Sequence, residues 1–169
     1  MRVTSIAAVA TNGVIGKDND LVWRLRDDMR FFMDTTKGHH VIMGRRNFES
    51  IPAKYRPLAE RPNIVISRNP DYAAPGATVV TSLDAALELA RGAGEEEAFI
   101  IGGGQIYQLA LEAGAVDRQL LTHVQAEPDG DAHYPTFEES EWIAERVGAH
   151  EADERNEYGF EIWAYTRRR

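Results

Sequence analysis

Six short apolar runs set the architecture open to this chain: Val3 to Ala10, Val41 to Met43, Ile64 to Ile66, Thr78 to Val80, Ala98 to Ile101 and Leu120 to Val124. None alternates strictly between apolar and polar residues, so each is expected to be a strand buried on both faces. Helices must then cover both faces. The segments in between supply them: Leu25 to Thr36, Arg46 to Ser50, Leu83 to Arg91 behind a Ser82 cap, and Gln105 to Glu112, which ends at Gly114. This alternation predicts an α/β fold, a mostly parallel central sheet with flanking helices. The last stretch departs from it. Trp142 to Val147 and Phe160 to Thr166 are separated only by the polar segment His150 to Tyr158, which predicts a C-terminal antiparallel hairpin at the sheet's edge. Neither a repeat nor a linker interrupts the 169 residues, so residues 1–169 are expected to form one domain.

The formal net charge of -8 opposes binding to nucleic acid or an anionic membrane, and only Arg167 to Arg169 form a basic run. The absence of cysteine removes disulfides, thiolate metal sites and cysteine nucleophiles, and fits the cytoplasm. Val3 to Ala10, broken by Asn12 and Gly13, is too short for a membrane span. Histidines 39, 40, 123 and 133 lack the spacing of metal ligands, and no metal site is expected.

Three segments carry chemistry. In Asp18 to Phe32, a polar loop leads through Trp23 into a helix with adjacent Asp27 and Asp28. Residues three and four apart share a helix face, which groups Asp28 with Leu25 and Phe32, and Asp27 with Arg24 and Arg30. Asp28 is the better candidate for a pocket wall. The pair also reads as a solvated first turn favoured by the helix dipole, and periodicity alone leaves both readings open. In Ala98 to Leu109, a strand runs into Gly102, Gly103 and Gly104 and then a helix, which suits a phosphate against free N–H groups but also an unliganded turn. In Val41 to Ile51, another strand, glycine and helix start carries Arg45 and Arg46, cations that oppose the helix dipole by about 0.3 to 1 kcal/mol unless an anion joins them. Ser67 and Arg68 close the next strand. Two anion-friendly strand ends in one sheet suggest a dinucleotide across its carboxyl edge.

Taken in order, IAAVATNGVIG, W-x-L-x-x-D, VIMGRxxFESI, the strand ending in Ser67, IIGGGxIY, LTHV and PDGDAHYP resemble the bacterial dihydrofolate reductases over nearly the whole chain. The resemblance implies NADPH-dependent reduction of 7,8-dihydrofolate to tetrahydrofolate by a monomer that also binds antifolate inhibitors. It makes Asp28 the carboxylate that binds the pterin's 2-amino and N3 edge, held by Thr122. Water would donate the proton to N5, reached through Trp23 and the loop from Gly16 to Leu21. Ile6, Ala7, Ala8, Leu21, Met29, Phe32, Ile51, Leu58, Ile101 and Tyr107 would line the substrate pocket, and Arg61 would grip the glutamate α-carboxylate. The cofactor would meet Ala8, Ile15, Gly16, Gly44, Arg45, Arg46, Asn47, Ser67, Arg68 and Gly102 to Ile106, including Gln105, with Gly102 and Gly103 joined by a cis peptide.

Four positions depart from the family's pattern: Val22 and Arg26 stand where many relatives have proline, Asn47 replaces a threonine and Gln105 a basic residue. Loss of the prolines is expected to loosen the loop and the start of the helix. Two other functions compete. A pyrimidine reductase of riboflavin biosynthesis shares fold and cofactor but has no reason to keep Trp23, Asp28, Phe32 and Arg61 together. A non-catalytic nucleotide-binding protein has no reason to keep Asp28 with Thr122.

Overall fold

The computed structural model describes residues 1–169. An eight-stranded sheet takes strands from both ends of the chain: β1 (Arg2–Ala10), β3 (Val41–Gly44), β4 (Asn63–Ile66), β5 (Thr78–Val80), β6 (Glu97–Gly102), β7 (Arg118–Val124), β9 (Trp142–His150) and β10 (Phe160–Arg167). Their order is β5-β4-β3-β6-β1-β7-β10-β9. Strands β5 through β7 run parallel. Strand β10 is antiparallel to both β7 and β9, so the chain's last strand lies inside the sheet and β9 forms its edge.

Helices α1 (Arg26–Thr36), α2 (Arg45–Ser50), α3 (Leu83–Gly92) and α4 (Gly104–Glu112) cover the two faces. Alternate strand residues go to opposite sides. Val3, Ile42, Ile64 and Ile100 pack with Leu83, Leu87 and Ala90 of α3 and Tyr107 and Ala110 of α4. Their sequence neighbours Val41, Met43, Val65 and Phe99 pack on the other face with Phe48 of α2, and Phe31 and Phe32 of α1 lean on that cluster. Ser82 caps α3, its hydroxyl accepting from the Ala85 N–H at 3.0 Å.

One element was not foreseen from the sequence. Strands β2 (Val14–Gly16) and β8 (Ala132–His133) form a separate two-stranded antiparallel sheet. Three and two residues are too few for periodicity to reveal.

His39 and His40, weighed above as metal ligands, both turn to Glu95. The His40 backbone N–H and Nδ1 reach Glu95 Oε1 at 2.5 and 2.9 Å, and His39 Nδ1 reaches Oε2 at 3.1 Å. This ties the segment before β3 to the turn before β6, the two strands that carry the glycine turns. Burial alone would raise the Glu95 pKa, but the hydrogen bonds from His40 and His39 bring it down to about 2. A carboxyl whose folded pKa is depressed contributes stability above its ordinary value, and loses it as pH falls toward the folded one. Glu95→Gln is therefore expected to lower the thermal midpoint at neutral pH, and to make the loss of stability between pH 4.5 and about 2 shallower, read by circular dichroism across that range.

Candidate functional site

The carboxyl ends of the parallel strands, together with the first turn of α1, gather the chemistry. Thr122 on β7 stands beside Ala8 on β1 in the strand register, and its hydroxyl donates to Asp28 Oδ1 at 2.5 Å. Phe32, Ile51, Leu58 and Ile101 are half-buried on the core cluster of the same sheet face. Burial pushes the Asp28 carboxyl above its ordinary pKa, against the Thr122 hydrogen bond, which draws it down. A hydrogen bond to a charged group contributes about 1.5–3 kcal/mol, and removing a carboxylate from water costs several, so burial wins.

The neighbouring aspartate has a different setting. Asp27 turns to the C-terminal hairpin, where its Oδ2 accepts from Asn156 Nδ2 at 2.8 Å and meets His150 Nε2 at 2.9 Å. Asp28 thus turns to Thr122 and Asp27 to the hairpin, where its side chain stays 36% exposed.

Arg61 lies over the Phe32 ring at 5.9 Å and donates to Thr36 Oγ1 at 3.0 Å and to the Ala59 carbonyl at 2.8 Å. One guanidinium edge is anchored and the rest of the fork can meet a carboxylate. Arg56 points elsewhere, and its Nη1 donates to the carbonyls of Glu49 and Ile51, at the end of α2. Leu21 and Met29 stand out to solvent, 55% and 46% exposed, rather than against the wall of Phe32, Ile51 and Leu58. Trp23 is buried with Leu25, Val14 and Phe160. Ile6 and Tyr107 are buried as well, and the Tyr107 hydroxyl donates to the Ile6 carbonyl at 2.6 Å. Ala7 is half-buried against the opposite cluster.

The two glycine turns meet. Met43 pairs with Gly102 in the sheet, and a methyl group at Gly44 would lie 3.0 Å from Ile106 Cγ1. One at Gly102 would lie 3.2 Å from Asn47 Oδ1, and one at Gly104 only 2.9 Å from the His133 carbonyl oxygen. Gly103, by contrast, faces open space and precedes α4 without any side-chain cap. The Gly102–Gly103 peptide is cis, as the resemblance implied. Arg45, Arg46, Arg68 and Gln105 are exposed or half-buried, with Arg45 over the Tyr72 ring at 4.5 Å. Ser67 is buried, its hydroxyl accepting from the Asn69 N–H at 3.1 Å. Uncapped helix N–H groups, a glycine with room in front of it and three arginines at adjacent strand ends fit an anionic dinucleotide.

A contact across the chain explains the PDGDAHYP motif. The Asp131 N–H donates to the Gly16 carbonyl at 3.1 Å, and Asp131 Oδ2 accepts from the Asp18 N–H at 3.0 Å. Asp18 and Asn19 have positive φ, so the loop turns tightly there, and Ile15 and Gly16 are held on β2 beside β8. At the start of α1 the Arg26 N–H, which a proline would lack, donates to the Arg155 carbonyl at 3.1 Å.

A family model described as dihydrofolate reductase matches residues 2–167. The chain is 46% identical over 169 residues to dihydrofolate reductase type 3 of Salmonella typhimurium, covering all of both chains. It is 41% identical over 166 residues to dihydrofolate reductase of Bacillus subtilis, covering 98% of this chain and 95% of the relative. Among solved structures, a dihydrofolate reductase from Enterococcus faecalis complexed with NADP(H) and RAB-propyl superposes with a TM-score of 0.86 at 31% identity, over 99% of this chain and 97% of that one.

The close approach at Gly104 leads to an expected outcome. Gly104→Ala should push the α4 start away from His133, lower the thermal midpoint because the atom it meets is backbone, and weaken NADPH binding by about tenfold or more, roughly 1.4 kcal/mol. Fluorescence titration with NADPH reads the affinity, and an unchanged affinity would remove this turn from the cofactor site.

Proposed function

The chain belongs to the dihydrofolate reductase family, and from that premise we propose how its residues carry out the NADPH-dependent reduction of 7,8-dihydrofolate to 5,6,7,8-tetrahydrofolate. The observation that carries the proposal is the Thr122 hydroxyl on the half-buried Asp28 carboxyl, on the sheet face that carries an apolar wall.

When bound, NADPH supplies the hydride that reaches pterin C6. Gly102 to Ile106 and Gly44 would hold its diphosphate, with Arg45, Arg46, Asn47, Ser67 and Arg68 toward the 2'-phosphate. The chain's own residues do the rest. Asp28 accepts hydrogen bonds from the 2-amino and N3 edge of the pterin, and Thr122 fixes the carboxyl's direction. Because burial holds the Asp28 pKa up, the carboxyl responds to the protonation state of the ring it binds and favours a proton at N5, which water delivers. Phe32, Ile51, Leu58 and Ile101 exclude bulk water and orient the ring, and such positioning can lower a barrier by about 7 to 11 kcal/mol. Arg61 holds the glutamate α-carboxylate of the substrate's tail.

The Thr122 hydroxyl on Asp28 and the Arg61 guanidinium over Phe32 favour this reading over the pyrimidine reductase and the non-catalytic binder, neither of which calls for them. The chain is further read as one domain acting as a monomer in the cytoplasm, apart from nucleic acid and open to antifolate inhibitors. The net charge of -8, the absence of cysteine and a sheet shared by both chain ends support this. No helix is long and apolar enough to cross a membrane.

Oxidation of NADPH in the presence of dihydrofolate is the test. Wild type and Asp27→Asn should turn over alike, whereas Asp28→Asn should lose about 100- to 10,000-fold in kcat/KM. Equal losses in both variants would overturn the assignment. Arg61→Ala should raise KM for dihydrofolate by about 10- to 100-fold with kcat nearly unchanged, because the tail is held equally before and during the reaction.

A further inference from the structure

Helix α1 begins without a cap of its own: Leu25 precedes it and no local side chain accepts from its first N–H groups. Such groups need a partner when they are not in water. The partner arrives from 129 residues away. Asn156, 0% exposed, accepts from the Asp27 backbone N–H through Oδ1 at 3.0 Å, and its Nδ2 donates to Asp27 Oδ2 at 2.8 Å and to Asp153 Oδ1 at 3.0 Å. Three flanking hydrogen bonds complete the joint. The Arg26 N–H donates to the Arg155 carbonyl at 3.1 Å, the Glu157 N–H to the Arg24 carbonyl at 3.0 Å, and the Arg24 N–H to Glu157 Oε1 at 2.9 Å.

We infer that Asn156 is a positioning residue for the reduction: a cap supplied by the C-terminal hairpin that aims Asp28 at Thr122 and the pterin. The inference rests on the reading of Asp28 given above. Its physical basis is that one strand refers both ends of the Asp28–Thr122 contact to each other. Strand β10 pairs with β7 so that Ile162 stands opposite Thr122, and the segment leading into β10 carries Asn156. Thr122 is therefore located by the β7 and β10 register, and Asp28 by a cap one residue before it on α1. Without Asn156 the first turn is free to fray, and Asp28 loses its fixed direction while Thr122 stays in place.

The charged groups around the joint are Asp27 and Arg24 from α1 and the residue leading into it, and His150, Asp153, Arg155 and Glu157 from the hairpin. His150 Nε2 lies 2.9 Å from Asp27 Oδ2 and 3.6 Å from Asp153 Oδ2, and its ring stacks on Phe160 at 5.6 Å. Asp27, His150 and Asp153 bring their ligand atoms within 4.8 Å of one another, but the Asn156 amide donates into this group, which suits a hydrogen-bonded joint rather than a cation.

The experiment compares full-length wild type, Asp28→Asn, Asp27→Asn and Asn156→Ala by the pH profile of dihydrofolate reduction, by KM for each substrate and by thermal midpoint. Asn156→Ala should lower kcat/KM for dihydrofolate by about 10- to 100-fold and displace the acid limb of its pH profile, with KM for NADPH within about twofold of wild type. Asp27→Asn keeps the backbone N–H that Asn156 caps, and should leave the profile in place. If Asn156→Ala does not fold, Asn156→Ser, too short to span both Asp27 atoms, reads the same quantities. A lowered thermal midpoint with kcat/KM and pH profile unchanged makes Asn156 a structural tie only and overturns the inference. Undiminished activity in Asp28→Asn instead overturns the reading of Asp28 on which the inference rests.

Discussion

The parallel pairing of β1 with β6 on one side and β7 on the other decides where everything else can stand. Val3 opposite Ala98, Ile6 opposite Leu120 and Ala7 opposite Leu121 put apolar side chains on both faces of the middle of the sheet, so both faces must be covered by apolar helix surfaces. Helices on both faces force the connections to cross over, and the crossovers leave two glycine turns and one helix start at the same edge. Gly44, Gly102 and Ile106 come into contact there because β3 and β6 are neighbours, although 58 residues separate Gly44 from Gly102 in the sequence.

On that edge, two adjacent aspartates meet opposite environments. Asp28 is pressed toward an apolar wall with one hydroxyl for company, so its proton is held more tightly than usual. Asp27 accepts from the Asn156 amide and lies beside the His150 ring on the hairpin side. A rotation of one residue along the helix, about 100°, separates the carboxyl we propose to bind the pterin from one that fastens two parts of the fold. Proton-sensitive chemistry and mechanical attachment are thus kept on different faces of one turn.

The eight strands of the main sheet, the four helices and the antiparallel end were legible because they rest on local signals such as apolar runs, the Ser82 cap, and glycine just past Glu112. Helical spacing groups Asp28 with Leu25 and Phe32 but leaves the solvated first turn open; in the fold Leu25 is buried and Asp28 and Phe32 are half-buried. What stayed hidden was carried by contacts across long sequence separations. Nothing near Asn156 marks it as a cap for a helix 129 residues earlier, and Asp131 gives no local sign that it fastens Gly16 and Asp18. Arg26 shows the limit most directly. Read as a lost proline, it predicted a looser helix start, yet its N–H closes a hydrogen bond that proline could not make. Arg56 likewise carries no local sign that it binds the carbonyls at the end of α2.

The claim that ties fold to chemistry is that burial, opposed only by Thr122, sets the state of the Asp28 carboxyl. Carbon-13 NMR of labelled aspartate, titrated in wild type and in Thr122→Val, reads that state at the atom concerned. The account predicts a wild-type midpoint above the ordinary aspartate value and a further rise in Thr122→Val, since removing the hydroxyl leaves burial unopposed. A wild-type midpoint at or below the ordinary value, or one unmoved by Thr122→Val, would contradict it.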